Sequence, residues 1–124
     1  MKLIKLFTLL FVTLIILSTN CDKTETGENK GADLYVNLNQ NEVYLNDLII
    51  SGDEEGARII RAPKHSHASF LIRDASTGYS IVYTYIPDST YTGKDYVEIE
   101  TCTGEDNIGC CHLDTLKIHF TITE

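Results

Sequence analysis

Cysteines and histidines, four of each, carry most of the reactive chemistry available to this chain. Cys102, Cys110 and Cys111 fall within ten positions, and His112 follows directly. By residue type this is a zinc donor set, but the spacing is wrong. Zinc sites usually space their cysteines by two to four residues, and adjacent cysteines on a strand point to opposite faces. A disulfide from Cys102 to one of the adjacent pair is the better reading. His65 and His67 stand two apart, on one face if that segment is a strand. A metal contact there competes with the commoner reading of two exposed polar residues at a strand's start. His112 and His119 have opposite parity and do not converge. Glu98 and Glu100 read as one exposed strand face rather than a tuned acid pair. There is no Gly-x-Ser-x-Gly elbow, no His-Glu-x-x-His, no phosphate-cradling glycine loop and no Trp for a sugar platform. Catalysis is therefore not expected.

The elements that must position these residues are strands. LYVNL at 34–38 alternates, and EVYL at 42–45 follows a polar break. ARIIRA at 57–62 is β-branched and stops at Pro63, while ASFLIRD at 68–74 runs into the turn residues ASTG. YSIVYTYI at 79–86 stops at Pro87. DYVEIETC at 95–102 and LDTLKIHFTIT at 113–123 are the two clearest alternators. About seven short β-rich runs separated by Gly, Pro, Asp and Asn predict an all-β sandwich.

Parity then places the side chains. Val97 and Ile99 should point inward with Leu116, Ile118, Phe120 and Ile122, leaving Tyr96, Glu98, Glu100 and Cys102 outward. A hairpin that sets Cys102 opposite Cys111 also sets Val97 opposite Leu116. Parity thus favours a Cys102–Cys111 disulfide, with Cys110 as the alternative partner, and TGEDNIGC at 103–110 as an exposed loop that could be a contact tip.

The N-terminus is a different kind of sequence. Lys2 and Lys5 precede an apolar run from Leu6 to Leu17, the pattern of a secretory signal. That run is short of the ~20 residues a membrane span needs. Leu17-Ser18-Thr19-Asn20-Cys21 resembles the lipobox of bacterial lipoproteins, in a looser form similar to that of Bacteroidetes. The resemblance implies cleavage after residue 20, acylation of Cys21 including palmitate, and stable anchoring by several chains. Residues 21–31 then read as the lipidated cysteine and a polar tether, reaching roughly 35 Å if extended. Asp22 and Glu25 resemble the acidic signal that sends such lipoproteins to the outer face of the outer membrane. The formal net charge of −8 becomes −10 once Lys2 and Lys5 leave with the signal. That balance argues against nucleic acid as a partner, which needs basic patches.

YIPDSTYTGKDYVEIETC at 85–102 is the most structured stretch. Pro87 ends a strand because it cannot donate to a ladder, and Gly93 permits a backbone angle other residues avoid. Asp95 can accept bonds from loop amides. Tyr91 can pin the loop to the sandwich edge with its hydroxyl left in water. Asn46-Asp47, Pro63 with His65, Tyr85 with Pro87, Tyr91-Thr92-Gly93-Lys94-Asp95 and Thr115 resemble, in order, bacterial immunoglobulin-like and cadherin-like repeat domains. The resemblance covers about residues 42–123 and implies an Ig-like or cadherin-like sandwich over 32–124. It also implies a cysteine pair flanking the last hairpin. Calcium is the one cofactor it brings into view, with Asp47, Asp53, Asp88 and Asp95 as candidate loop ligands. In such a fold Asn46-Asp47 and Asp95 more often cap turns.

Two expectations follow. The chain is a non-catalytic, exported surface lipoprotein with a structural or adhesive role. Alternatively it binds a glycan, peptide or calcium at a loop end of the sandwich.

Overall fold

The computed structural model describes residues 31–106 and 109–124, the side chains at 105–111 excepted. These residues are all-β, in two sheets that face each other as a sandwich. The strands are β1 (Asp33–Asn39), β2 (Tyr44–Asp47), β3 (Gly56–Arg61), β4 (Ser66–Ile72), β5 (Val82–Pro87), β6 (Gly93–Asp106) and β7 (Gly109–Thr123). One sheet has the order β1-β7-β6-β3 and the other β2-β5-β4. β1 runs parallel to β7, and the remaining pairs are antiparallel. Among the described residues no helix is long and apolar enough to cross a membrane.

Alternation decides what is inside. Val97 and Ile99 of β6, Ile118, Phe120 and Ile122 of β7 and Leu38 of β1 are buried against Tyr83 and Tyr85 of β5. Each such burial stabilises the fold by roughly 1.5–3 kcal/mol. Tyr85 stacks on Phe120 across the sheets at 4.0 Å. The Tyr83 hydroxyl, which must find a partner once buried, meets Ser69 Oγ at 2.9 Å.

The structure corrects several boundaries. β6 and β7 continue through residues 103–106 and 109–112, so most of the expected exposed loop is strand. Residues 107 and 108 of that loop lie outside the described residues. Val97 pairs with Ile118 and Cys102 with Leu113, two positions from the expected register. A shift of two keeps every side chain on its face, so hydrophobic alternation alone could not detect it. Asn46 and Asp47 lie within β2, opposite Tyr83 and Val82, rather than in a loop. Residues 79–81 precede β5: Tyr79 has φ 63°, a conformation closed to a strand. Asp74 caps a 3-10 turn at Ala75–Thr77 through the Ser76 and Thr77 amides.

Candidate functional site: an aromatic row on an open sheet face

The β5–β6 stretch at 85–102 becomes a scaffold at one end of the sandwich. Asp95 is only 7 % exposed. Its carboxylate accepts from the Lys64 amide at 2.9 Å, the His65 amide at 2.8 Å, the Tyr85 hydroxyl at 3.0 Å and the Tyr96 amide at 2.9 Å. These donors come from the β3–β4 loop, β5 and β6, so a single side chain ties the two sheets together. Burial, with Asp95 beside it, pushes the Tyr85 hydroxyl's pKa up and keeps it a donor. Pro87 is buried at the end of β5, opposite Ser66. Tyr91 stacks on His65 at 3.7 Å, and its exposed hydroxyl donates to the Lys94 carbonyl at 2.8 Å. Gly93 has φ 138°, and a Cβ there would stand 2.8 Å from Tyr91 Oη. Pro63-x-His65, Tyr85-x-Pro87 and Tyr91-x-Gly93-x-Asp95 thus converge on one knot, although 32 positions separate Pro63 from Asp95.

The four calcium candidates do not converge. Asp47 and Asp88 lie at opposite ends of β5, whose six residues span roughly 17 Å. Asp47 accepts from Ser80 Oγ and the Ile49 amide, and these bonds hold its pKa below the usual carboxylate value. Asp88 is lowered chiefly by the Thr90 amide and hydroxyl. Asp53 sits in the β2–β3 turn, and Asp95 is filled by N–H and O–H donors. Among the described residues no group of three acidic, His or Cys side chains is arranged to hold a metal. His65 is stacked on Tyr91, and a register shift between Ser66 and Ala68 falls at His67. Cys102 is disulfide-bonded. Cys110 and Cys111, the partners expected for it, have side chains outside the described residues, as does Cys21.

The opposite loop end is also committed to its own scaffold. Arg73 donates to the carbonyls of Gly52, Glu55 and Tyr79. The Glu55 carboxylate accepts from the Gly52 and Gly104 amides at 2.9 and 3.1 Å, which lowers its pKa.

The outer face of the four-stranded sheet differs. Tyr35, 77 % exposed, pairs in register with His119, and His119 with Tyr96. Tyr35 stacks on His119 at 4.7 Å, Tyr96 tilts against His119 at 4.7 Å, and the Arg61 guanidinium lies 5.2 Å over Tyr96. The row therefore crosses β1, β7, β6 and β3, about three strand spacings or ~14 Å. Asp33 holds His119 Nε2 at 3.1 Å, while Glu98 holds the Tyr96 hydroxyl and stands 3.7 Å from Arg61. Desolvation and Glu98 push the Tyr96 hydroxyl's pKa to about 12. Beside the row lies a cleft of about 330 Å³, lined by Tyr35, Arg61, Lys64, Lys94, Tyr96 and His119 among others. Reading the sequence for Trp alone missed this row. The signal was there as Tyr35, Tyr96 and His119 at outward positions of three alternating strands, but their adjacency required the strand order.

No protein-family model matches the sequence, and no curated protein does. One solved structure similar to it is an endo-fucoidan hydrolase of glycoside hydrolase family 107, at 13 % identity and a TM-score of 0.48. The match covers 73 % of this chain and 12 % of that one, so this chain spans about an eighth of that hydrolase.

Proposed function

We propose that this protein is a non-catalytic surface lipoprotein that engages a ligand through the outer face of its four-stranded sheet. Residues 1–20 are its signal peptide, Cys21 carries the lipid and residues 21–31 are the tether. Residues 32–124 form an Ig-like or cadherin-like sandwich that the anchor holds off the outer membrane, facing the exterior.

The observation that carries the ligand-binding reading is the Tyr35–His119–Tyr96–Arg61 row with its cleft. Large rings on an exposed sheet face offer contact area that a purely structural spacer does not need. The sandwich ends offer less, because Asp95, Asp88, Glu55 and Arg73 spend their polar atoms on the protein's own loops. The contact surface is therefore the sheet face, where the cleft meets the β3–β4 loop at Lys64 and His65. The same geometry supports a role for the Tyr91–Gly93–Asp95 knot in shaping the cleft wall, since Lys64 and His65 are held by Asp95.

A bulky substitution on the row's face tests the placement whatever the ligand. Thr121 is exposed and lines the cleft. Vesicles carrying the lipidated chain should lose capture of envelope and medium polysaccharides and peptides when Thr121→Trp is introduced. Leu45→Arg, at an exposed position of the other sheet, should leave capture intact. Capture that survives Thr121→Trp and is lost with Leu45→Arg would overturn the placement.

A further inference from the structure

We infer that the cleft beside the aromatic row binds an acidic saccharide, with the sugar's anionic group held between Arg61, Lys64 and Lys94. The inference rests on the outer sheet face being the contact surface, and it adds the class of ligand.

Charge is the first argument. Residues 32–124 contain six Lys and Arg against fifteen Asp and Glu. Three of those six cations line this one cleft. The acid among its lining residues is Asp95, whose oxygens are filled by the donors described above. An acidic domain has thus gathered half its cations around one cavity, where Arg61 is shared with Glu98 at 3.7 Å while Lys64 and Lys94 form no ion pair among the described residues. Such an arrangement draws an anion, and it does so against the field of the rest of the surface.

Shape and chemistry narrow the anion. About 330 Å³ is at the small end of ligand cavities and suits one or two sugar rings. Arg61 presents a planar fork, which pairs with a carboxylate or sulfate through two parallel bonds, while Lys64 and Lys94 act as point charges. Tyr35 leaves the ring face away from His119 to solvent at the sheet edge, and the C–H face of a pyranose packs on such a ring. Asp33, Glu98 and the Tyr96 hydroxyl can bond sugar hydroxyls along the row. An acidic peptide would satisfy the cations, but it would not use a ring face and hydroxyl-bonding carboxylates side by side. His119 sits in the row facing Asp33, Tyr35 and Tyr96, so it borders the ligand without being its main charge.

The test uses the full chain purified in detergent, with binding measured by calorimetry. The probes are uronate oligosaccharides, sulfated galactan oligosaccharides, a neutral glucan of the same length and polyglutamate. The expected result is binding of the uronate or the sulfated probe, weakened by salt, and no binding of the neutral glucan; the stronger of the two names the acid group. Arg61→Ala and Lys94→Ala should each weaken binding by about tenfold, and Tyr35→Ala should weaken it without changing its salt dependence. These side chains are exposed, so unchanged melting temperatures will separate lost contact from lost fold. Equal binding of neutral and acidic sugars would overturn the acidic assignment and leave the sheet face as contact surface. Polyglutamate binding without any sugar binding would overturn the saccharide class. Binding insensitive to Arg61→Ala and Lys94→Ala, but abolished by Thr121→Trp, would overturn the role of the cations alone.

Discussion

Replacing Asp95 should be the most damaging single change in the described residues outside the apolar core. Asp95→Ala leaves the Lys64 and His65 amides and the Tyr85 hydroxyl facing a buried void. Each buried donor left without a partner costs about 1–3 kcal/mol, and hydrogen bonds to a charged acceptor are worth about 1.5–3 kcal/mol each. The terms are not additive, because the β3–β4 loop can lift and let water reach its amides. The net expectation is a loss of about 3–5 kcal/mol, a large part of the stability of a chain this size. Asp95→Asn keeps the shape but turns one acceptor into a donor aimed at other donors, so it should cost about 2–3 kcal/mol. Urea unfolding followed by tyrosine fluorescence gives both values, as the chain has no Trp. Amide exchange at Lys64 and His65 should accelerate in parallel. A loss below about 1 kcal/mol for Asp95→Ala, with both amides still protected, would refute the idea that this carboxylate ties the sheets together.

Gly93→Ala should destabilise by about 1–3 kcal/mol, since the new Cβ meets a positive φ and the Tyr91 ring at once; thermal melting checks it. Non-reduced mass mapping should find Cys102 joined to Cys111, the partner that strand parity in the sequence favours, and Cys110→Ser should keep the bond and its ~2.5–3 kcal/mol. A bond that survives Cys111→Ser and is lost with Cys110→Ser would contradict this. In a phenolate absorbance titration Tyr44, Tyr83, Tyr85 and Tyr96 should ionise late, Tyr83 and Tyr96 near 12. Because the folded protein keeps these protons longer than the unfolded chain, their contribution is intact below the ordinary tyrosine pKa of about 10 and is lost as pH rises through the folded values. Cys21→Ser should move the protein from the membrane to the soluble fraction and remove its acyl label.

Alternation with a period of two is a local property, and it sufficed for the all-β class and for the inward faces of β6 and β7. Val97, Ile99, Ile118, Phe120 and Ile122 are buried where their spacing put them. Pro87 and Gly93 were legible for the same reason, because a missing N–H and a missing Cβ act within one or two residues. Register was not legible: a slip of two residues changes every partner and no face, so Cys102 meets Leu113 rather than Cys111. The role of Asp95 was half visible. Its ability to accept amide bonds belongs to the residue type, but the amides it found belong to a loop thirty positions upstream. The aromatic row was visible only as three outward positions, and its adjacency was hidden for a deeper reason. Tyr35, Tyr96 and His119 become neighbours only because β1 closes on β7 in parallel and β7 on β6 in antiparallel register, and no property of the separate segments encodes that order.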